Sequence, residues 1–127
     1  DRRARKSKPP QPAITKYHRL ATLDLPFCVD RYPTSRYSLV KINPLTGRKH
    51  QIRRHFKHLS HPIIGDTSYG KTSHNRFFAE QFGCRRLLLA ATQMEIMHPV
   101  IGEPLVLEAA LDNVFRKIEG LFINQAT

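Results

Sequence analysis

The sequence predicts an α+β fold, with a mixed or antiparallel sheet and packed helices, on three observations. A β-rich run at residues 36–42, Arg-Tyr-Ser-Leu-Val-Lys-Ile, is ended by Asn43-Pro44. A helical stripe follows at once. Two further apolar runs near the C-terminus read as a buried strand and a hairpin.

Residues 1–16 read as an arm or linker: Arg2, Arg3, Arg5, Lys6 and Lys8 precede Pro9, Pro10 and Pro12, without hydrophobic periodicity. Residues 17–127 form the folded part. Residues 17–33 are expected to be irregular, with Leu20, Leu23, Leu25 and Phe27 available to a core. After the strand at 36–42, Thr46-Gly47 opens a helix over about residues 49–60. Its Ile52, Phe56 and Leu59 fall at i, i+4 and i+7, and His61-Pro62 stops it. A short helix is expected near residues 75–82. Arg86-Leu87-Leu88-Leu89-Ala90-Ala91 reads as a buried strand. A hairpin then runs from Met94 to His98, turns through Pro99 to Gly102, and returns from Leu105 to Ala109. Asp112 can cap a last helix with Val114, Phe115 and Ile118 inward.

With 127 residues and 40% apolar content, the chain supports one domain with a modest core. No apolar run approaches the ~20 residues that span a bilayer. The first residues are too polar for a signal peptide. Two cysteines, Cys28 and Cys84, do not make a disulfide framework; they fit reduced thiols in a cytoplasmic protein, and one bridge stays open as an alternative.

Charge gives the first functional direction. Twenty-one Lys and Arg against ten Asp and Glu leave +11, which favours a polyanionic partner, nucleic acid ahead of an anionic membrane surface. The distribution sharpens this. From Arg31 to Gly65 there is no acid, yet the stretch holds eight Lys or Arg: Arg31, Arg36, Lys41, Arg48, Lys49, Arg53, Arg54 and Lys57. A solvated helical surface normally mixes both signs, because opposite charges four apart stabilise it. The densest part is Thr46-Gly47-Arg48-Lys49-His50-Gln51-Ile52-Arg53-Arg54-His55. A glycine ahead of a helix lets backbone N–H groups approach an anion, and the helix N-terminus favours phosphate. Arg48 and Lys49 add charge there, and Gln51 can meet a base edge or a ribose hydroxyl. The alternative is a helix whose basic face is merely solvated.

Other chemistries fare poorly. His55, His58 and His61 lie three apart, whereas metal-binding helices place ligands four apart with a carboxylate or cysteine near; no acid is local, so no metal is expected. Neither cysteine sits in a nucleophile signature, no paired carboxylates serve acid–base work, and Gly65 and Gly70 do not form a nucleotide loop.

The segment from Thr46 to His55, followed by His61-Pro62-Ile63-Ile64-Gly65-Asp66 and Tyr69-Gly70, resembles the family of ribosomal large subunit pseudouridine synthase A. Arg86-Leu87-Leu88-Leu89, His98-Pro99 and Gly102-Glu103-Pro104-Leu105 extend the likeness, which covers roughly residues 36–112. Residues 32–37, Arg54-His55 and Asn75-Arg76 look most like the tRNA-acting branch of that family. The resemblance implies the C-terminal portion of a pseudouridine synthase catalytic domain, converting a uridine of RNA, here tRNA, to pseudouridine without a cofactor. Target bases in such enzymes are flipped from their stack. It implies that Arg53 pairs with the nucleophilic aspartate, and that Gly47, Arg48, His50 and Gln51 contact RNA or shape the loop. Lys49, Arg54 and Lys57 would add RNA contacts, and Leu87, Leu88 and Leu89 would line the uracil pocket.

Two departures matter. The family's aspartate lies in a His-Arg-Leu-Asp segment, whereas His18-Arg19-Leu20 is followed here by Ala21. The histidine common after the triple leucine is Ala90. Asp1, Asp24, Asp30, Asp66 and Asp112 all lie outside the nucleophile context; Asp66, after Gly65, reads as a turn carboxylate. The expectation is therefore a part of a longer enzyme, inactive alone, with an exposed sheet edge through which fragments could dimerise. The alternative is a non-catalytic RNA-binding module on the same scaffold.

Overall fold

The computed structural model describes residues 11–97 and 104–126. Strands β1 (Thr15–Leu25) and β2 (Ser35–Pro44) pair antiparallel into a long ribbon. Helix α1 (Gln51–His58) follows β2 closely, then α2 (Thr72–Phe82). Strands β3 (Gln93–Met97) and β4 (Pro104–Glu108) form a second antiparallel pair, and α3 (Asn113–Ala126) ends the described chain. The result is α+β with antiparallel sheets, as the sequence predicts.

One extra residue governs how the ribbon packs. The register steps from Arg19↔Val40 to Ala21↔Leu39, so Leu20 is a bulge with no partner across the ladder. Side chains alternate faces along a strand, so one extra residue transfers the odd-numbered positions of β1 to the other face. Ala21, Leu23 and Leu25 share a face with Tyr37 and Leu39 and join the core. Thr15, Tyr17 and Arg19 share the opposite face with Val40 and Ile42. There α1 packs: the Tyr17 ring meets Phe56 edge-on at 5.3 Å. Leu20 itself is 55% exposed.

The core on the first face joins Leu23 and Tyr37 to Phe78 of α2, Cys84, and Ile118 and Phe122 of α3. Phe78 is 1% exposed and meets Tyr37 at 4.8 Å and Phe82 at 5.2 Å, both edge-to-face, the favoured aromatic geometry. Gly83, at φ +67°, closes α2 in the left-handed conformation that a residue without Cβ adopts freely. Asp112 caps α3 as expected, its Oδ1 accepting the Phe115 N–H at 2.8 Å.

Several expectations are corrected. Residues 17–33 are not irregular throughout: β1 occupies their first part and takes in Thr15 and Lys16 from the proposed arm. Residues 86–91 are not a strand. They dock instead on the loop after α1, the Leu88 N–H donating to Ile64 O at 2.9 Å. The Arg86 side chain ties the segment down by donating to the carbonyls of Leu87 and Leu89 and to Asp112. Helix α1 is shorter than the pattern predicts, and Leu59 at its end is 44% exposed. The hairpin is present as β3 and β4, while its turn through Pro99 to Gly102 lies outside the described residues.

The bulge generates a paired expectation. Leu20→Lys should change stability by less than about 0.5 kcal/mol, because its side chain contacts mostly solvent. Leu23→Ala, three residues on, should cost about 2–5 kcal/mol. Urea unfolding of the two variants checks this.

Candidate nucleic-acid interface

The approach to α1 is fastened by a network built around Gln51, which is 6% exposed. Its Oε1 accepts from Thr46 Oγ1 at 2.5 Å and from the Arg48 N–H at 3.0 Å. Its Nε2 donates to Ile14 O at 3.0 Å and Thr15 Oγ1 at 2.9 Å. Thr46 Oγ1 in turn accepts from the Ile14 N–H, and Thr15 Oγ1 shares a hydrogen bond with His55 Nδ1 at 2.7 Å. The two donors and two acceptor positions of the amide are all filled. Gln51 therefore locks the start of β1, the turn after β2 and helix α1 together, and it has no polar capacity left for a nucleic acid. That corrects its expected role as a base reader.

Arg53 lies on the same helix and also turns inward. Its Nε and Nη2 donate to Asp66 Oδ2 and Oδ1, both at 2.9 Å, in a two-pronged pair that guanidinium geometry favours. Asp66 is 1% exposed; its Oδ1 also accepts the N–H groups of Ser68 and Tyr69 at 3.0 and 2.9 Å. The Arg53 bond above all, then these two backbone donors, holds its carboxyl at about 2, against the opposing effect of burial.

The loop around Asp66 is constrained from both ends. Gly65 has φ +87°, and a Cβ there would lie 2.0 Å from the Arg86 carbonyl oxygen. A Cβ on Gly70 would lie 2.3 Å from the Asp66 carbonyl oxygen, which accepts the Gly70 N–H at 3.0 Å. Asn75 of α2 closes the loop, accepting from the Gly65 N–H and donating to Asp66 O.

Tyr69 connects this loop back to the helix. Its ring lies 5.2 Å from the Arg53 guanidinium carbon, a cation–π distance. Its hydroxyl accepts from Arg54 Nε at 3.2 Å and lies 3.1 Å from His50 Nδ1. Loss of solvent around His50, then the charges of Arg53, Lys49 and Arg54, push its pKa below the ordinary imidazole value. His50 is thus a neutral hydrogen-bonding group near pH 7. It adopts a left-handed φ of 52° at the start of α1.

With Gln51, Arg53 and Phe56 turned inward, the remaining basic side chains are left outside. Arg48, Lys49, Arg54 and Lys57 are exposed, and so is His50. Arg48 keeps one contact, donating from Nε to Pro12 O at 3.2 Å. Of the three leucines expected at a pocket, Leu88 packs against the core, while Leu87 and Leu89 are half-buried beside it. Arg53, expected to pair with a nucleophilic aspartate, is bound among the described residues to Asp66, a partner that the sequence reading did not identify. A signal was present: Asp66 is the first acid after Asp30, and it stands between glycines.

The chain is similar in sequence to proteins of known family. Residues 1–58 match a family model described as RNA pseudouridylate synthase. The chain is 51% identical over 118 residues to the tRNA pseudouridine synthase C of Salmonella typhi, covering 93% of this chain and 45% of that protein. It is 46% identical over 122 residues to that of Yersinia pestis, covering 96% and 48%. Against that of Vibrio cholerae the identity is 44% over 131 residues, covering 98% and 54%. The chain spans about half the length of the relatives it matches.

The depressed Asp66 carboxyl sets an acid dependence. A carboxyl held low in the folded state stabilises the fold above its unfolded pKa, and that stabilisation is lost as pH falls through the folded value. The window here runs from about pH 4 down to about pH 2, with about 2 kcal/mol at stake. Urea unfolding between pH 5 and 2 should show this loss in the native protein and a flatter profile in Asp66→Asn. Equal profiles would remove Asp66 as the titrating group.

Proposed function

We propose that the chain is the RNA-binding C-terminal part of a tRNA pseudouridine synthase of the RNA pseudouridylate synthase family. The reaction isomerises uridine to pseudouridine: the glycosidic C–N bond breaks, the uracil turns, a C–C bond from uracil C5 to the ribose forms, C5 gives up its proton and the freed ring nitrogen takes one up. The conversion is an isomerisation with no net oxidation or reduction, so no redox cofactor is called for. The observation that carries the reading is the division within α1 and the turn before it: Gln51 and Arg53 fasten the fold, while Arg48 and Lys49 of the turn and Arg54 and Lys57 of the helix stay outside. Lys and Arg side chains left exposed without acids nearby suit a phosphate backbone.

In this reading Arg53 has two tasks. Asp66 engages Nε and Nη2, which leaves the Nη1 donors for a second carboxylate. The second carboxylate is the nucleophilic aspartate of an upstream segment, held ionised and in place by an arginine that Asp66 has already oriented. None of the chain's own aspartates follows a His-Arg-Leu sequence. These 127 residues therefore bind RNA but do not turn it over alone. Strands β1 and β2 each have one neighbour among the described residues, so an outer edge can accept a further strand, from upstream sequence or from a second copy. The setting is cytoplasmic, with Cys28 and Cys84 as thiols.

Two measurements test this. Fluorescence anisotropy with unmodified tRNA should give binding that weakens steeply with salt. Arg54→Gln with Lys57→Gln should reduce the slope of log affinity against log salt by roughly 1–2, at about 0.7–0.9 per lost phosphate contact. Pseudouridine formation should be absent for the chain alone and appear when an upstream segment carrying the aspartate is supplied, unless Arg53 is replaced by Lys. Turnover by the chain alone, or salt-independent binding, would overturn the reading.

A further inference from the structure

Beside the Asp66 loop, on residues that α1 does not contribute, lies a cavity of about 340 Å³. Its walls include Thr67 and Gly70 of the loop, Thr72 and Arg76 of α2, and Cys84 and Arg85 beyond it. Two arginines stand in these walls. Three guanidinium groups of the described chain are neutralised in ion pairs: Arg36 by Asp24, Arg53 by Asp66, and Arg86 by Asp112. Among the described residues Arg76 and Arg85 form no such ion pair, and both are exposed at the cavity. The one carboxylate in its walls, Asp66, is fully occupied by Arg53 and two backbone N–H groups, so it does not cancel their charge.

Further features favour an anion there. The first turn of α2 contains no acidic residue, and no side chain caps it, so its leading N–H groups keep their positive end open. Thr67 and Thr72 bring hydroxyl groups to the same walls. Asn75 does not compete, because both ends of its amide bind loop backbone. The floor is kept in shape by Gly70, where any side chain would strike the Asp66 carbonyl oxygen. Guanidinium groups and hydroxyls around a cavity of this size suit a tetrahedral oxyanion with its attached sugar.

We propose that this cavity is a second phosphate site, in which Arg76 and Arg85 grip a phosphodiester of the same RNA that lies against α1. The site rests on the RNA-binding reading above and extends it. It gives the RNA a second point of attachment across the Asp66 loop, so the loop is held between two phosphate contacts. An arginine pair of this kind fixes the position and orientation of the RNA backbone without reading its sequence.

Two probes separate the site from the reading on which it rests. Inorganic phosphate titrated into the isotope-labelled chain should move the backbone NMR signals of Thr67 and Thr72 and the Nε signals of Arg76 and Arg85. Those shifts should vanish in Arg76→Gln with Arg85→Gln, whose far-ultraviolet dichroism should match the native chain. With tRNA, the same double variant should lower the slope of log affinity against log salt by roughly 1.4–1.8, about 0.7–0.9 per contact, equally for different RNA sequences. Shifts with phosphate but an unchanged tRNA slope would mean a free-anion site and overturn the RNA assignment. No phosphate shifts at these residues would overturn the site even if tRNA binds through α1. Absence of any tRNA binding by the native chain would instead overturn the underlying reading, and the RNA assignment with it.

Discussion

The buried pair of Arg53 and Asp66 is the constraint around which the rest of the described structure is arranged. A carboxylate at 1% exposure needs partners for its oxygens, and the pair supplies two of the four hydrogen bonds it accepts. To make it, α1 must turn Arg53 inward. That places Gln51, two residues earlier, where it can grip the start of β1. The loop must also come close enough for Gly65 and Gly70 to lie against backbone, which explains why neither position has room for a Cβ. Asn75 and Tyr69 then tie the loop to α2 and back to α1.

The pair also explains how one short helix can be both structural and cationic. Eight residues form little more than two turns, and isolated helices of that length are unstable in water. The inward side chains supply the stability that the backbone alone lacks. The outward ones, Arg54 and Lys57, stay exposed together with Arg48 and Lys49 of the turn before the helix. Had an acid stood four residues from any of these, a local ion pair would have offset its charge. The acid-free stretch from Arg31 to Gly65 is the sequence record of that arrangement.

Much of this was legible from residues alone, and the failures have physical causes. Strand β2 and helix α1 were visible because their side-chain periods differ clearly. Strand β1 was missed: Lys16, His18 and Arg19 interrupt its apolar residues, and the bulge at Leu20 changes the buried face midway. The run Leu87-Leu88-Leu89 was over-read as a strand. A short apolar run says that a segment is buried, and here burial comes from docking on Ile64 and from the Arg86 side chain rather than from a ladder. At the site, the basic cluster was legible as charge. Gln51 was not, because an amide serves a base edge or a backbone equally well, and only the fold decides between them. Arg53 was read as the partner of a nucleophilic aspartate; its pairing with Asp66 follows from three-dimensional proximity across thirteen residues.

The central claim is that Arg53 holds the Asp66 loop in place, and amide hydrogen exchange in Arg53→Gln tests it most directly. The Ser68 and Tyr69 N–H groups, which donate to Asp66 Oδ1, should then exchange faster, together with the Gly70 N–H. Amides on the far side of the core, such as Leu23 and Tyr37 in the ribbon, should keep their native rates. Unchanged exchange at Ser68 and Tyr69 would show that the loop stands without the ion pair, and would contradict the account.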